Sequence, residues 1–261
     1  MKQFITNADG EKICVVVEGL ENKKNKKLVF LQHGWSGYKE QTAIRIPAQA
    51  FLEAGYVVVS FDSRNSFGES DGRLQDTSLT GFIEDLSTVI EWCRSQAFYA
   101  EPFALCGHSL GGGSILHYAE ENPSHVSLLV PVSAMVGGKY FERSRLLNFA
   151  EAYERWRQAG VLYRERKDNP RINGYISFAT VDNMLKYDMV AAAGKIACPV
   201  LLVTGDGDLS STLYNNEQLL SKIETDKTLK VIAGCAHNFE SPSNQKDLYE
   251  TVFAWLSGHN R

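Results

Sequence analysis

Short apolar runs alternate with helix-length amphipathic stretches over most of this 261-residue chain, and that alternation limits the fold more than any other feature. Runs rich in β-branched and apolar residues stand near 2–6, 13–19, 28–32, 56–61, 102–107, 127–132, 199–204 and 228–232. Helical patterns fall near 43–54, 80–95, 110–121, 212–223 and 243–257. Strands joined by helix-length connections pair in parallel, with the connecting helices laid on the faces of the sheet. The first two runs are separated only by Ala8-Asp9-Gly10-Glu11, which suits an antiparallel hairpin. The pattern predicts an α/β fold: an eight-stranded, mostly parallel sheet with an antiparallel N-terminal strand and helices on both faces. With 44% hydrophobic residues, a chain of this length can bury one large core.

One stretch breaks the rhythm. More than sixty residues separate the run ending at Val132 from the one starting at Pro199, far more than a crossover helix needs. Within it Leu146, Phe149, Tyr153 and Trp156 recur at helical spacing. Asn169-Pro170-Arg171 and Asn173-Gly174 mark turns, and Tyr175-Ile176-Ser177-Phe178 reads as a short strand. The organisation expected is a core of residues 1–133 and 196–261 with an insertion at 134–195.

Charge and composition exclude several function classes. A net charge of −4 gives no electrostatic case for nucleic acid or an anionic membrane. Lys23-Lys24-Asn25-Lys26-Lys27 lies between two strand-like runs and reads as a solvated turn. No run of about 18 apolar residues occurs and the first residues lack a signal-peptide pattern. The expectation is a cytoplasmic protein, a monomer or homodimer, with no membrane insertion. Five scattered cysteines without a C-x-x-C pair fit buried thiols and give no metal site. No cofactor or metal is expected.

The chemistry concentrates at Gly107-His108-Ser109-Leu110-Gly111, between the apolar run at 102–106 and the helical pattern from 110. Strand, G-x-S-x-G and helix in that order describe a strained turn that lifts a serine hydroxyl above the end of a sheet. A nucleophilic serine needs a base and a carboxylate to orient that base. Of six histidines, His237 stands in Gly234-Cys235-Ala236-His237-Asn238-Phe239, after the last strand and before the terminal helix. That loop overhangs the carboxyl end of the sheet, where the serine also points. Upstream, Val200-Leu201-Leu202-Val203-Thr204 ends in Gly205-Asp206-Gly207-Asp208, which offers two aspartates. The amide of Leu110, at a helix start, lacks an intrahelical partner and suits an oxyanion.

The order Ser, Asp, His and the strand–elbow–helix context resemble the α/β-hydrolase superfamily over nearly the whole chain. In that family the acid commonly stands third after a glycine, which the resemblance maps to Asp208, leaving Asp206 as a turn residue that caps backbone amides. An acid after the sixth strand has no counterpart, since 131–138 holds no Asp or Glu. The loop Gln32-His33-Gly34-Trp35 resembles the H-G-x oxyanion loop and implies the Trp35 amide as the second donor. Asp62-Ser63-Arg64-Asn65-Ser66-Phe67-Gly68-Glu69-Ser70 resembles a D-x-R-G-x-G-x-S loop in which Asn65 replaces a glycine, and Asp62 and Arg64 read as structural.

The H-G-x loop, the chain length and the compact insertion resemble the bacterial cinnamoyl or feruloyl esterases, in which a cap shapes the acyl pocket. The resemblance implies a serine esterase acting on small-molecule carboxylic esters of short to medium or aromatic acyl groups. Its expected triad is Ser109, His237 and Asp208, with His33, Gly34, Tyr140 and Trp156 at the substrate. Phe141, Phe149, Tyr153, Tyr163, Tyr175 and Phe178 also suit such a pocket, though most of these aromatics would serve to hold the insertion together. An acylglycerol lipase or thioesterase would use the same triad, and a non-catalytic ligand-binding protein the same fold. A base that must start neutral implies activity falling below about pH 6 to 6.5, near histidine's reference value.

Overall fold

A computed structural model describes residues 1–21, 27–165 and 173–259. Its main sheet has eight strands in the order β1-β2-β4-β3-β5-β6-β9-β10. These are β1 (Lys2–Thr6), β2 (Lys12–Glu18), β3 (Leu28–Gln32), β4 (Val57–Phe61), β5 (Phe103–His108), β6 (Val126–Val132), β9 (Val200–Gly205) and β10 (Lys227–Ile232). β2 runs antiparallel to both β1 and β4, and the neighbours from β4 to β10 pair in parallel. The expected sheet is therefore present, with boundaries within about one residue of those read from the sequence. The basic run at 23–26 and the turn at 169–171 lie outside the described residues.

The central strands are buried from end to end, as parallel strands covered on both faces must be. Their side chains alternate between two apolar layers. Leu28, Phe30, Val57, Val59, Phe103 and Leu105 face one layer, while Val29, Leu31, Val58, Ala104 and Cys106 face the other. Helices α2 (Leu79–Arg94), α3 (Leu110–Glu121) and α7 (Leu213–Lys222) fill the first layer; α1 (Thr42–Glu53) and α8 (Pro242–His259) fill the second. α2 starts at Ser78, whose hydroxyl accepts from the Gly81 amide at 3.0 Å. All five cysteines are free and buried. No helix among the described residues is long and apolar enough to cross a membrane.

Strand order reverses at β3, with β4 on one side and β5 on the other. The loops that leave β3 and β5 diverge there and open a crevice at the carboxyl end of the sheet.

Between β6 and β9 the chain forms α4 (Gly138–Ala159), a hairpin of β7 (Val161–Arg164) and β8 (Gly174–Ser177), then the short helices α5 (Ala179–Met184) and α6 (Met189–Ala192). The sequence indicated α4 and β8; β7, mostly exposed, carried no alternation to reveal it. α4 also departs from the single apolar stripe its spacing suggested. Phe149 has φ −147° and ψ 35°, which kinks the helix and rotates one half against the other. Tyr153 and Trp156 are buried as expected, whereas Leu146 and Phe149 are exposed.

Candidate active site

Ser109 occupies φ 53°, ψ −115°, a conformation that non-glycine residues rarely adopt. Three backbone hydrogen bonds hold it: Ser109 N–H donates to Val132 O at 3.0 Å, and its carbonyl accepts from Gly113 N–H at 3.0 Å and Met135 N–H at 2.9 Å. The flanking glycines make the turn sterically possible. A Cβ on Gly107 would lie 2.6 Å from the Gly111 carbonyl oxygen, and one on Gly111 would strike the Gln32 and His33 carbonyls. Strand, turn and helix are packed backbone against backbone, so the spacing G-x-S-x-G is a steric requirement here.

His237, in the loop after β10, places Nε2 3.0 Å from Ser109 Oγ and Nδ1 2.8 Å from Asp208 Oδ2. Asp208 lies in the loop after β9, with its side chain fully buried. Its other oxygen, Oδ1, accepts from the amides of Ser210 at 2.8 Å and Ser211 at 2.9 Å. Burial by itself would raise the Asp208 pKa. The His237 charge, its hydrogen bond and the Ser211 amide outweigh that and hold the carboxyl at about 2. Asp208 is thus the amide-capping aspartate of this loop. Asp206, expected in that role, is exposed and its carboxylate makes no hydrogen bond among the described residues.

A carboxylate can only accept, so with a neutral imidazole Nδ1–H donates to Asp208 and the Nε2 lone pair faces the Ser109 hydroxyl. That arrangement can take a proton from serine as Oγ attacks an electrophilic carbon, and return it to a leaving group.

Two further histidines surround this chain of bonds. His108 Nε2 donates to the His237 carbonyl at 2.9 Å, and the two rings are 4.8 Å apart. Burial, then the His237 charge, push His108 down to about 3, so it is neutral and steadies the loop that carries His237. His33 accepts from the Ser63 amide at Nε2, 2.9 Å, and donates from Nδ1 to Gly34 O, 2.8 Å.

A cavity of about 600 Å³ opens over Ser109. Core residues Trp35, Ser36, Ser109, Leu110 and His237 line it together with Phe141, Arg145, Arg164 and Met184 of the inserted segment. Trp35 and Leu110 sit on opposite sides of Ser109 in sequence terms, one from the β3 loop and one at the start of α3. Among the described residues neither backbone amide donates a hydrogen bond, so both can meet a ligand oxygen.

None of the four residues expected at the substrate lines the cavity. His33 is fully buried with both ring nitrogens satisfied by backbone. Gly34 packs against the serine turn, where a Cβ would come 2.9 Å from Ser109 Cβ. Tyr140 turns away from the cavity, its ring beneath the Lys139 ammonium and its carbonyl bonded to the Ser144 hydroxyl. Trp156 is one layer back: its ring packs on Trp35 at 5.6 Å and Phe178 at 5.2 Å, and its Nε1–H donates to Ile176 O. Tyr153 and Phe178 belong to the same buried group and Tyr163 and Tyr175 are exposed, leaving Phe141 as the aromatic of the inserted segment at the cavity wall.

Arg145 and Arg164 were not anticipated at the site. Arg145 follows Phe141 by four residues, so the two share a helix face, and that spacing was the available signal. Arg164 stands on β7, which the sequence did not reveal.

Asp62 and Arg64 are structural, as expected. Buried Asp62 accepts from the Lys39 amide at 2.8 Å and pairs with Lys39 Nζ at 2.7 Å, and Arg64 Nε pairs with Asp85 at 2.5 Å. Asn65 keeps the left-handed conformation of the glycine it replaces, φ 58°, and its Oδ1 accepts from the Arg73 amide. Cys14, Asp62 and Glu69 form the one cluster among the described residues close enough to share a cation. Lys39 Nζ bonds both carboxylates, at 2.7 and 2.9 Å, and already supplies the positive charge there.

Comparison with known proteins agrees with this architecture. The family model described as serine aminopeptidase, S33 (Hydrolase_4) matches residues 23–241. A monoacylglycerol lipase of Mycolicibacterium smegmatis is 25% identical over 252 residues, covering 89% of this chain and 88% of that protein. A putative carbamate hydrolase, RutD, of Klebsiella pneumoniae is 31% identical over 185 residues, covering 62% and 67%. Among solved structures, Est1E of Butyrivibrio proteoclasticus with bound ferulic acid superposes with a TM-score of 0.78 at 20% identity, over 99% of both chains. With the fold of the α/β-hydrolases and a family match across most of its length, the chain belongs to the serine aminopeptidase S33 family of hydrolases.

Proposed function

We propose that the protein is a serine esterase that cleaves small carboxylic esters through an acyl-enzyme on Ser109. The observation that carries this reading is the hydrogen-bonded series Ser109 Oγ, His237, Asp208 beneath an open cavity. His237 accepts the Ser109 proton as Oγ attacks the ester carbonyl and passes it to the departing alcohol. It then draws a proton from water, which attacks the acyl-enzyme and releases the acid. Asp208 keeps the imidazole in the tautomer this needs and balances the imidazolium charge. The Trp35 and Leu110 amides receive the carbonyl oxygen as it becomes negative, without reorganising. The segment 134–195 acts as a cap, with Phe141 and Met184 offering apolar surface to a short, medium or aromatic acyl group. The ferulic acid in the Est1E structure supports an aromatic acyl group.

A p-nitrophenyl ester series and a fluorophosphonate probe test this reading. Turnover, and a label on Ser109 that Ser109→Ala abolishes, are expected. Neither turnover nor label would leave a binding protein on a hydrolase fold. An acylglycerol lipase is a second reading, favoured by Leu146, Leu147, Phe149, Val161 and Leu162, which are exposed on the inserted segment. Faster cleavage of monoacylglycerols than of water-soluble esters would select it.

A further inference from the structure

We infer that the substrate of this site carries a second functional group, a carboxylate, which Arg145 binds inside the cavity while the ester meets Ser109. The inference rests on the esterase reading for its ester and on Arg145 alone for its anion.

Arg145 stands on α4 in the wall of the cavity that holds Ser109 and His237. Its contacts among the described residues are a long hydrogen bond from Nη2 to Ser210 Oγ, 3.3 Å, and the Phe141 and Phe149 rings at 4.9 and 5.3 Å from its guanidinium carbon. No carboxylate pairs with it among the described residues, and its buried Nε–H has no acceptor. A guanidinium normally satisfies its five donors with carboxylates, carbonyls or water. Here the guanidinium packs on the Phe141 and Phe149 rings at the edge of the cavity. Burial and then the nearby charge of Arg164 lower its proton affinity, yet a guanidinium remains charged at any physiological pH. The Asp208 carboxylate, already paired with His237, offsets this charge without hydrogen-bonding to Arg145 among the described residues, so a ligand carboxylate can bond the guanidinium directly.

Arg164, whose Nη1 donates to Ser36 Oγ at 2.8 Å, lines the same cavity and adds positive potential. Glu40 and Glu240 lie elsewhere on its lining, so the cavity is cationic toward the inserted segment and acidic at another part of its wall. That polarity orients a substrate with one negative end. It favours a planar monoanion, which a guanidinium matches with two parallel hydrogen bonds, over a dianion that the two glutamates would repel. A desolvated ester pocket for simple hydrocarbon chains has no need of an unpaired arginine, and its presence makes fatty acyl groups poor candidates for the preferred substrate.

Two measurements separate this inference from the esterase reading beneath it. The first is binding of monoethyl adipate, a monoanion, by calorimetry to Ser109→Ala, which needs no turnover. Binding that is lost about 10- to 100-fold with an added Arg145→Met is expected, the range of one charge-assisted contact. Binding that is absent, or unchanged by the second substitution, overturns the carboxylate site whatever the fluorophosphonate result. Arginine-dependent binding of monoethyl adipate without a label on Ser109 would leave the anion site standing and remove the esterase. The second is kcat/KM for monoethyl adipate and for carboxymethyl hexanoate, each relative to ethyl hexanoate. The ratio for one of the two carboxylate esters should exceed one and fall about 10- to 100-fold in Arg145→Met, with Arg145→Lys keeping part of it. Equal loss on charged and neutral esters, or no preference in the wild type, contradicts the assignment. Arg145→Met keeps an apolar stem against Phe141 and Phe149, and Arg145→Lys serves should the methionine variant fail to fold.

Discussion

The sheet core and the segment between β6 and β9 solve different problems with different materials. The central core strands are fully buried, their residues alternate between two apolar layers, and the loops at the carboxyl end of the sheet bring serine, histidine and aspartate into one hydrogen-bonded series. The inserted segment has a kinked helix, a two-stranded hairpin with exposed Val161, Leu162 and Tyr163, and short helices. It gives the cavity its arginines and Phe141, and it holds itself together with a small aromatic group of Tyr153, Trp156 and Phe178. In the proposed function, reaction chemistry falls to the sheet core and selection to the inserted segment.

That division can be broken most directly by activity. Ser109→Ala should lower kcat on p-nitrophenyl butyrate by about six orders of magnitude. Phe141→Leu, which trims the wall and keeps it apolar, should shift the ratio of long to short acyl esters by about tenfold or less. A comparable collapse in Phe141→Leu would place chemistry in the inserted segment as well.

Stability offers a second contrast. Gly107→Ala sets a methyl group against the Gly111 backbone, neither side of which can move without opening the elbow, so a loss of about 3 kcal/mol or more in urea unfolding is expected. Gly160, at the end of α4, has φ 72° but nothing within 4 Å of an added Cβ. Gly160→Ala meets only the backbone preference and should cost about 1 kcal/mol. Similar losses at the two positions would deny that the core is the tighter of the two regions.

The smallest effect probes the junction. Glu120, in the last turn of α3, is buried with Oε1 unpartnered, near Lys195 and Asp188 where the inserted segment returns to the core. Burial raises its pKa from 4.5 to about 9. The native state therefore holds a proton that the unfolded chain releases above pH 4.5, and the associated stability, complete below that value, drains away as pH climbs toward 9. Glu120→Gln should be more stable than the wild type by about 1–3 kcal/mol at pH 8 and nearly equal at pH 4. A pH-independent difference between the two proteins would show that Glu120 is solvated after all.

The same contrast explains what could be read from residues alone. Strands such as Val57-Val58-Val59-Ser60-Phe61 announce themselves because burial on both faces demands uninterrupted apolar sequence. Ser109 and Asp208 could be singled out because each follows a strand of that kind in a glycine-rich turn, and His237 because its loop follows the last strand at the same end of the sheet. In the inserted segment the period of α4 was visible but its kink at Phe149 was not, since no proline or glycine marks it. His33, Tyr140 and Trp156, expected at the substrate, lie off the cavity wall because aromatic or loop character does not say which way a side chain turns. Arg145 was passed over because an arginine on a helix is ordinarily a solvated residue, and only packing against Phe141 and Phe149 distinguishes it.

The dihedral angles of Ser109 carry a last consequence. A residue at φ 53°, ψ −115° would relax if it lost its Cβ, so Ser109→Gly should unfold at a higher temperature than the wild type while doing no chemistry. At this position the sequence that folds best lacks the hydroxyl that the proposed chemistry needs.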